Sequence, residues 1–271
     1  MRRCGTYRSR ALVLALLLLP CVAPAQAADG GGHPTADGVH PTADGAPADW
    51  PEHVHDSALQ WMLLVDQLEF GWSEHDDFGA WEAEGWLGGD VYRLVLQSEG
   101  HHRAQGPSGG EAEFQLLARR AILPFWNVQL GVRQDVIYGS GSDRERTLAA
   151  IGVEGLAPQW FELEPALFVS DEGDVSARLE ATYELFVTQR LVAQPRLELD
   201  VTASDVREFE VESGFTDIEL GLRLRYEFRR ELAPYLGVSW HRRLADTAEL
   251  ARDQGRPVDD VALLVGLRFW L

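Results

Sequence analysis

From Asp217 to Arg229 the chain changes character at almost every residue. Ile218, Leu220, Leu222, Leu224, Tyr226 and Phe228 are apolar or aromatic, and Asp217, Glu219, Arg223, Arg225, Glu227 and Arg229 are charged. Successive strand residues point to opposite faces, so this segment is a ribbon with one oily side and one ionic side. The same beat runs through Val175 to Val187, Leu191 to Val201 and Val261 to Leu271. A soluble antiparallel sheet can alternate in this way. Here the pattern recurs in about twelve segments behind an export signal and ends in Phe269-Trp270-Leu271. That combination predicts an all-β fold, a transmembrane antiparallel barrel of the bacterial outer membrane, with lipid against its oily parity.

The export signal occupies residues 1–27. Arg2, Arg3, Arg8 and Arg10 precede a short apolar core from Ala11 to Leu19, and Ala25-Gln26-Ala27 is a small-x-small cleavage site. Nine apolar residues cannot cross a bilayer as a helix, and no later run approaches the roughly 18 that would. Cys21 leaves lipoprotein processing as an alternative, which Pro20 disfavours. Both cysteines, Cys4 and Cys21, lie in the removed segment, so thiolate metal or redox chemistry is excluded from the mature chain. Loss of the four signal arginines takes the formal charge from −19 to about −23. Such acidity argues against nucleic acid and suits cation capture. Every basic residue other than histidine is arginine, whose planar fork suits carboxylate pairing in confined places.

Residues 28–57 read as a disordered arm. The tandem repeat His33-Pro34-Thr35-Ala36-Asp37-Gly38-Val39 and His40-Pro41-Thr42-Ala43-Asp44-Gly45-Ala46 carries Pro and Gly in each copy, which excludes a coiled coil. Residues 58–271 form the expected barrel, with strands near 59–70, 79–87, 90–99, 111–121, 124–136, 144–155, 159–169, 174–187, 189–201, 214–229, 232–243 and 258–271. Their connections alternate between tight and long, as at the two ends of a membrane barrel. The short one near Ser170 to Gly173, on the long side, breaks the rhythm. Aromatics at strand ends (Phe125, Trp126, Trp160, Phe161, Tyr226, Trp240, Trp270) suggest interfacial girdles. Arg119, Arg133, Asp135, Arg178, Glu180, Glu184, Arg190, Arg196, Glu198, Asp200, Glu219, Arg223, Arg225, Glu227 and Arg268 are expected to face inward. Their ion pairs would make a narrow, plugged lumen rather than a general diffusion pore.

Several stretches resemble the copper resistance protein B family of outer-membrane proteins. They are Glu84-Gly85-Trp86-Leu87-Gly88-Gly89-Asp90, Gly155-Leu156-Ala157-Pro158-Gln159-Trp160-Phe161-Glu162, Gly173 to Glu180, Thr188 to Leu199, Gly221 to Tyr235 and Thr247 to Arg252. The resemblance covers roughly residues 60–271. It implies a barrel that serves copper tolerance by binding copper or helping to exclude it, with a Met- and His-rich arm. This chain departs from that pattern, because Met62 is the only methionine after the signal. Soft thioether ligands for Cu(I) are therefore missing from the arm, and imidazole and carboxylate, which suit Cu(II) or Zn(II), remain.

The candidate ligands are His33, His40, His53, His55 and Asp56 in the arm, His75 in the first long connection, His101 and His102 in the second, and His241 on the inward face near the external mouth. His53 and His55 share one side of an extended segment. Against each stands an exposed or hydrogen-bonded histidine that binds nothing. The leading expectation is a barrel that binds copper, probed as Cu(II), and limits or exports its surplus, in contact with outer-membrane lipid and periplasmic copper-handling proteins. A metal-independent transport or structural barrel gated by its ion pairs is the alternative. An outer-membrane hydrolase is the third class; Ser239 with His241, two apart on one face and without a third partner, is its weak candidate.

Overall fold

The computed structural model describes residues 59–271 apart from 105–108, 140–142, 207, 208 and 210. The signal segment, the arm and its ligand candidates His33, His40, His53, His55 and Asp56 lie outside the described residues.

The expected alternation becomes a single antiparallel sheet closed on itself. Its strands are β1 (Gln60–Ser73), β2 (Phe78–Gly88), β3 (Tyr92–Arg103), β4 (Gly110–Leu123), β5 (Trp126–Tyr138), β6 (Arg144–Leu156), β7 (Phe161–Ser170), β8 (Val175–Tyr183), β9 (Leu185–Phe186), β10 (Leu191–Thr202), β11 (Gly214–Tyr226), β12 (Leu232–Arg243) and β13 (Asp259–Trp270). The two-residue β9 continues β8 beyond a break at Glu184, and both pair with β10, so the barrel has twelve staves. Each stave pairs with its chain neighbours, and β1 pairs with β13. The C-terminal residue completes the seam: Leu271 and Leu63 exchange backbone hydrogen bonds of 2.8 and 3.1 Å. Closure satisfies the edge amides and carbonyls that hydrocarbon could not.

The two faces are those of a membrane barrel. Leu94, Leu96, Leu116, Leu130, Leu222, Leu236 and Leu263 lie on the outer surface, Leu236 with 65% of its area uncovered. An apolar surface this continuous would be a liability in water and is the normal exterior in lipid. Trp61, Tyr92, Phe125, Trp160, Tyr226, Phe228 and Trp270 ring the end that carries the short turns, an aromatic girdle at that interface.

Local irregularities have local causes. The consecutive polar residues Asp66 and Gln67 sit at a β-bulge, where the register of β1 shifts. The extra residue lets both side chains reach lumen partners, Arg268 for Asp66 and Arg223 for Gln67. The short connection after β7 is a tight turn, in which Gly173 takes φ +93° and returns a 3.0 Å bond to the Ser170 carbonyl.

Two expectations need correction, and one long connection holds an element that the sequence reading did not anticipate. Strand β3 runs on to Arg103, so His101 and His102 belong to a strand and not to a connecting loop. Arg190 lies exposed in the turn between β9 and β10, because the β10 ladder begins only at Leu191. The last long connection carries helix α1 (Ala245–Asp253), which buries Thr247, Ala248 and Ala251. Thr247 ties that helix to the preceding loop by accepting from the Glu212 amide at 3.1 Å.

Candidate functional site

The inward parity builds two distinct environments. The first is an ionic lumen. Arg223 on β11 grips Glu69 on β1 with both fork nitrogens, at 3.0 and 3.1 Å, and donates to Gln67 at 2.7 Å. Tyr235 donates its hydroxyl to the same carboxylate at 2.8 Å. Arg119 makes a two-pronged contact with Glu84, at 2.6 and 2.9 Å, and also reaches Glu154 at 2.8 Å. Arg133 joins Glu113 to Asp135, at 2.6 Å each. Nearer the short-turn end, Arg225 pairs with Glu184 at 2.7 Å and Arg268 pairs with Asp66. Such fork-to-carboxylate contacts are strong and directional.

The lumen is not wholly polar. Val95, Leu117, Leu148, Ala150 and Phe168 form a buried apolar cluster, with Trp86 and Ala166 packed against it. They line the inside of the wall from β2 to β7, and the Arg133 guanidinium lies 4.4 Å from the Phe168 ring centre. Sequence reasoning overlooked this patch because it weighed the inward parity by its charges. The signal was there: Leu117, Leu148 and Phe168 occupy the parity of Arg119, Arg146 and Glu164.

The second environment is the mouth at the long-loop end, between β11, β12, β13 and the first loop. His241 on β12 stands opposite Glu219 on β11 and Asp260 on β13. Its Nε2 lies 2.9 Å from Asp217 Oδ1. His75 reaches across from the first loop and sets Nδ1 3.1 Å from Asp260 Oδ1. Two of the sequence-predicted histidines thus lie at the same mouth, each with a carboxylate on one ring nitrogen, and Asp260, which holds His75, stands opposite His241 in the ladder. Carboxylates hold metal-ligating imidazoles in this way. Asp260 also raises the His75 pKa above its ordinary value by accepting its ring N–H.

The other candidates are not brought together. His101 faces the lumen side opposite Glu111, whereas its neighbour His102 faces outward and stacks on Tyr138, centroids 5.9 Å apart. Adjacent strand residues diverge, so the pair cannot share an ion. Ser239 stands opposite Gly221 and Ala262, and the His241 Nε2 is taken up by Asp217. Among the described residues, no set of three His, Cys, Asp or Glu side chains is already arranged around a metal position.

A closed twelve-stave barrel, oily outside and ion-paired within, is an outer-membrane β-barrel. Solved barrels align with most of it at low identity. The NanC porin matches at TM-score 0.49 and 12% identity, covering 76% of this chain and 98% of that one. Outer membrane phospholipase A from Escherichia coli matches at 0.49 and 11%, covering 76% and 92%. The family model described as copper resistance protein B precursor matches residues 59–271. Copper resistance protein B of Escherichia coli is 42% identical over 217 residues, 80% of this chain and 71% of its own length. The copper resistance protein B homolog of Pseudomonas syringae pv. tomato is 41% identical over 219 residues, 80% and 72%. The chain belongs to the copper resistance protein B family.

Proposed function

We propose that this barrel contributes to copper resistance by capturing surplus copper, as Cu(II), and limiting its entry or aiding its export. The observation that carries the reading is the family match, which runs through every strand of the barrel. The donor chemistry supports it: imidazoles and carboxylates, without thiolates, suit Cu(II). At the outer mouth, His75 and His241 would be the imidazole donors, with Asp260 and Asp217 holding the rings. A second capture point is the arm of residues 28–57, through His33, His40, His53, His55 and Asp56, once export has removed residues 1–27. In this reading periplasmic copper-handling proteins are the arm's partners. Copper is cargo in this reading.

The test is Cu(II) titration of the detergent-folded protein, with and without residues 28–57 and with His75→Ala/His241→Ala, beside copper tolerance of a deletion strain carrying each form. The expected result is histidine-dependent binding and lowered tolerance in the deletion strain. Absence of copper binding together with unchanged tolerance would overturn the proposal.

A further inference from the structure

The arrangement of lumen carboxylates makes little sense as pairing alone. Glu82, Glu99, Glu113 and Asp135 stand directly opposite one another on β2, β3, β4 and β5. On the far wall Glu164, Glu180, Glu198 and Glu219 do the same across β7, β8, β10 and β11. Like charges directly opposed across strands repel, so two acidic ribbons need cations between them. Arg178 and Arg196 supply these from the middle of the barrel. Arg178 on β8 reaches Glu99 on β3 at 2.5 Å and Glu113 on β4 at 3.4 Å, while its Nε holds Asp200 at 3.1 Å. Arg196 on β10 pairs with Glu82 on β2 and with Glu180 at 2.6 Å. Both long contacts, β8 to β3 and β10 to β2, join staves five apart one way around the barrel and seven the other. They therefore cross the hollow nearly along a diameter.

The acids also exceed their partners. Among the described residues, Glu162, Glu164 and Glu219 form no ion pair with arginine, and the last two are the end members of the far ribbon. Wall acids of one sign focus small cations into a narrow low-dielectric passage.

We infer that the lumen is a cation path held shut by an arginine crossbar, in which Arg178 and Arg196 occupy the positions between two acidic ribbons that permeating cations would otherwise fill. Removing the two guanidiniums leaves both ribbons and opens the passage. The inference concerns small inorganic cations in general and stands apart from the copper reading, since potassium is a sufficient probe.

The experiment records planar-bilayer conductance in potassium chloride for the wild type, Arg178→Gln/Arg196→Gln, each single variant and Arg178→Lys/Arg196→Lys. Folding of each is verified by the shifted gel mobility of the unheated barrel. The wild type is expected to pass small currents whose reversal potential in a salt gradient is cation-selective. The double Gln variant is expected to conduct about tenfold more with the same selectivity, and the Lys pair, which keeps both charges, to stay near wild type. A folded Gln variant with wild-type conductance overturns the crossbar. Wild-type currents as large as a porin's, or anion selectivity in either form, overturn the path. Should the double variant fail to fold, Arg196→Gln alone and the wild-type reversal potential still decide.

Discussion

Two parts of this molecule set a cation against a carboxylate, and they differ in almost everything else. In the lumen the cation is a guanidinium, charged at every accessible pH and buried: Arg223 and Glu69 keep only 5% and 4% of their side-chain area exposed. At the outer mouth it is an imidazole, half in solvent, with His75 43% exposed against Asp260. Arginine carries no lone pair for a metal and cannot release its proton, so its contacts are permanent cross-links. Histidine can lose its proton and then offer that nitrogen to an ion. Similar contact distances thus join a permanent charge to a carboxylate in one region and a titratable one in the other.

The contrast breaks most sharply where a lumen partner is deleted. Arg223→Ala removes the fork and leaves Glu69 enclosed with only the Tyr235 hydroxyl. A broken buried pair costs about 3–5 kcal/mol, because the remaining charge is uncompensated. Urea unfolding from lipid vesicles should show that loss; a change below about 1 kcal/mol would mean water reaches Glu69 and the lumen pairs behave like surface ones. Tyr235→Phe asks less. It deletes one 2.8 Å donor to the same carboxylate, and a hydrogen bond to a charged group contributes about 1.5–3 kcal/mol. Gly266 lies beneath that ring, where even a Cβ would come within 2.4 Å of it. Phenylalanine keeps this cover, so the loss isolates the hydroxyl.

The lumen was largely legible in the sequence and the mouth was not, for a physical reason. Strand parity has a period of two, so each of Arg119, Arg133, Arg178, Arg196, Arg223, Arg225 and Arg268 could be assigned to the inside without knowing the fold in detail. All seven have carboxylate partners there. Which partner each takes depends on stagger around the barrel and on the bulge at Asp66, neither of which a periodic pattern encodes. The junction of His75 with Asp260 joins residues 185 positions apart across the seam between β1 and β13. Closure creates that proximity, and no local spacing could announce it. Helix α1 escaped as well: its apolar residues are mainly alanines, with buried Ala248 and Ala251 set among Asp246, Glu249 and Arg252, a weak periodic signal.

At the mouth the expected effects are smaller and concern affinity. His75→Ala and His241→Ala should each weaken Cu(II) binding to the arm-deleted barrel about tenfold. Asp260→Asn and Asp217→Asn, which touch only the orienting carboxylates, should cost a similar or lesser factor. Isothermal titration in detergent distinguishes these from His102→Ala, which stacks on Tyr138 facing away and is expected to leave affinity unchanged. Equal losses from all three histidines would dissolve the distinction between an organised mouth and scattered surface imidazoles.

The subtlest test is the pH dependence at His75. Asp260 raises its folded pKa above the ordinary value, so the ion pair stabilises the folded loop below about pH 6.5, the unfolded value. That contribution is lost as pH rises through the raised folded pKa. Copper needs the neutral ring, so the sign reverses for binding: affinity grows as pH rises through the same window. Asp260→Asn removes the largest cause of the shift, leaving only the weaker pull of Glu74 and Asp259, and should move the midpoint of the binding curve to lower pH, even as it loosens the ring. Lumen arginines predict no such displacement, since they hold their protons throughout. If the midpoint stays fixed when Asp260 is neutralised, His75 is not the group that titrates, and the mouth loses its claim to be chemically different from the lumen behind it.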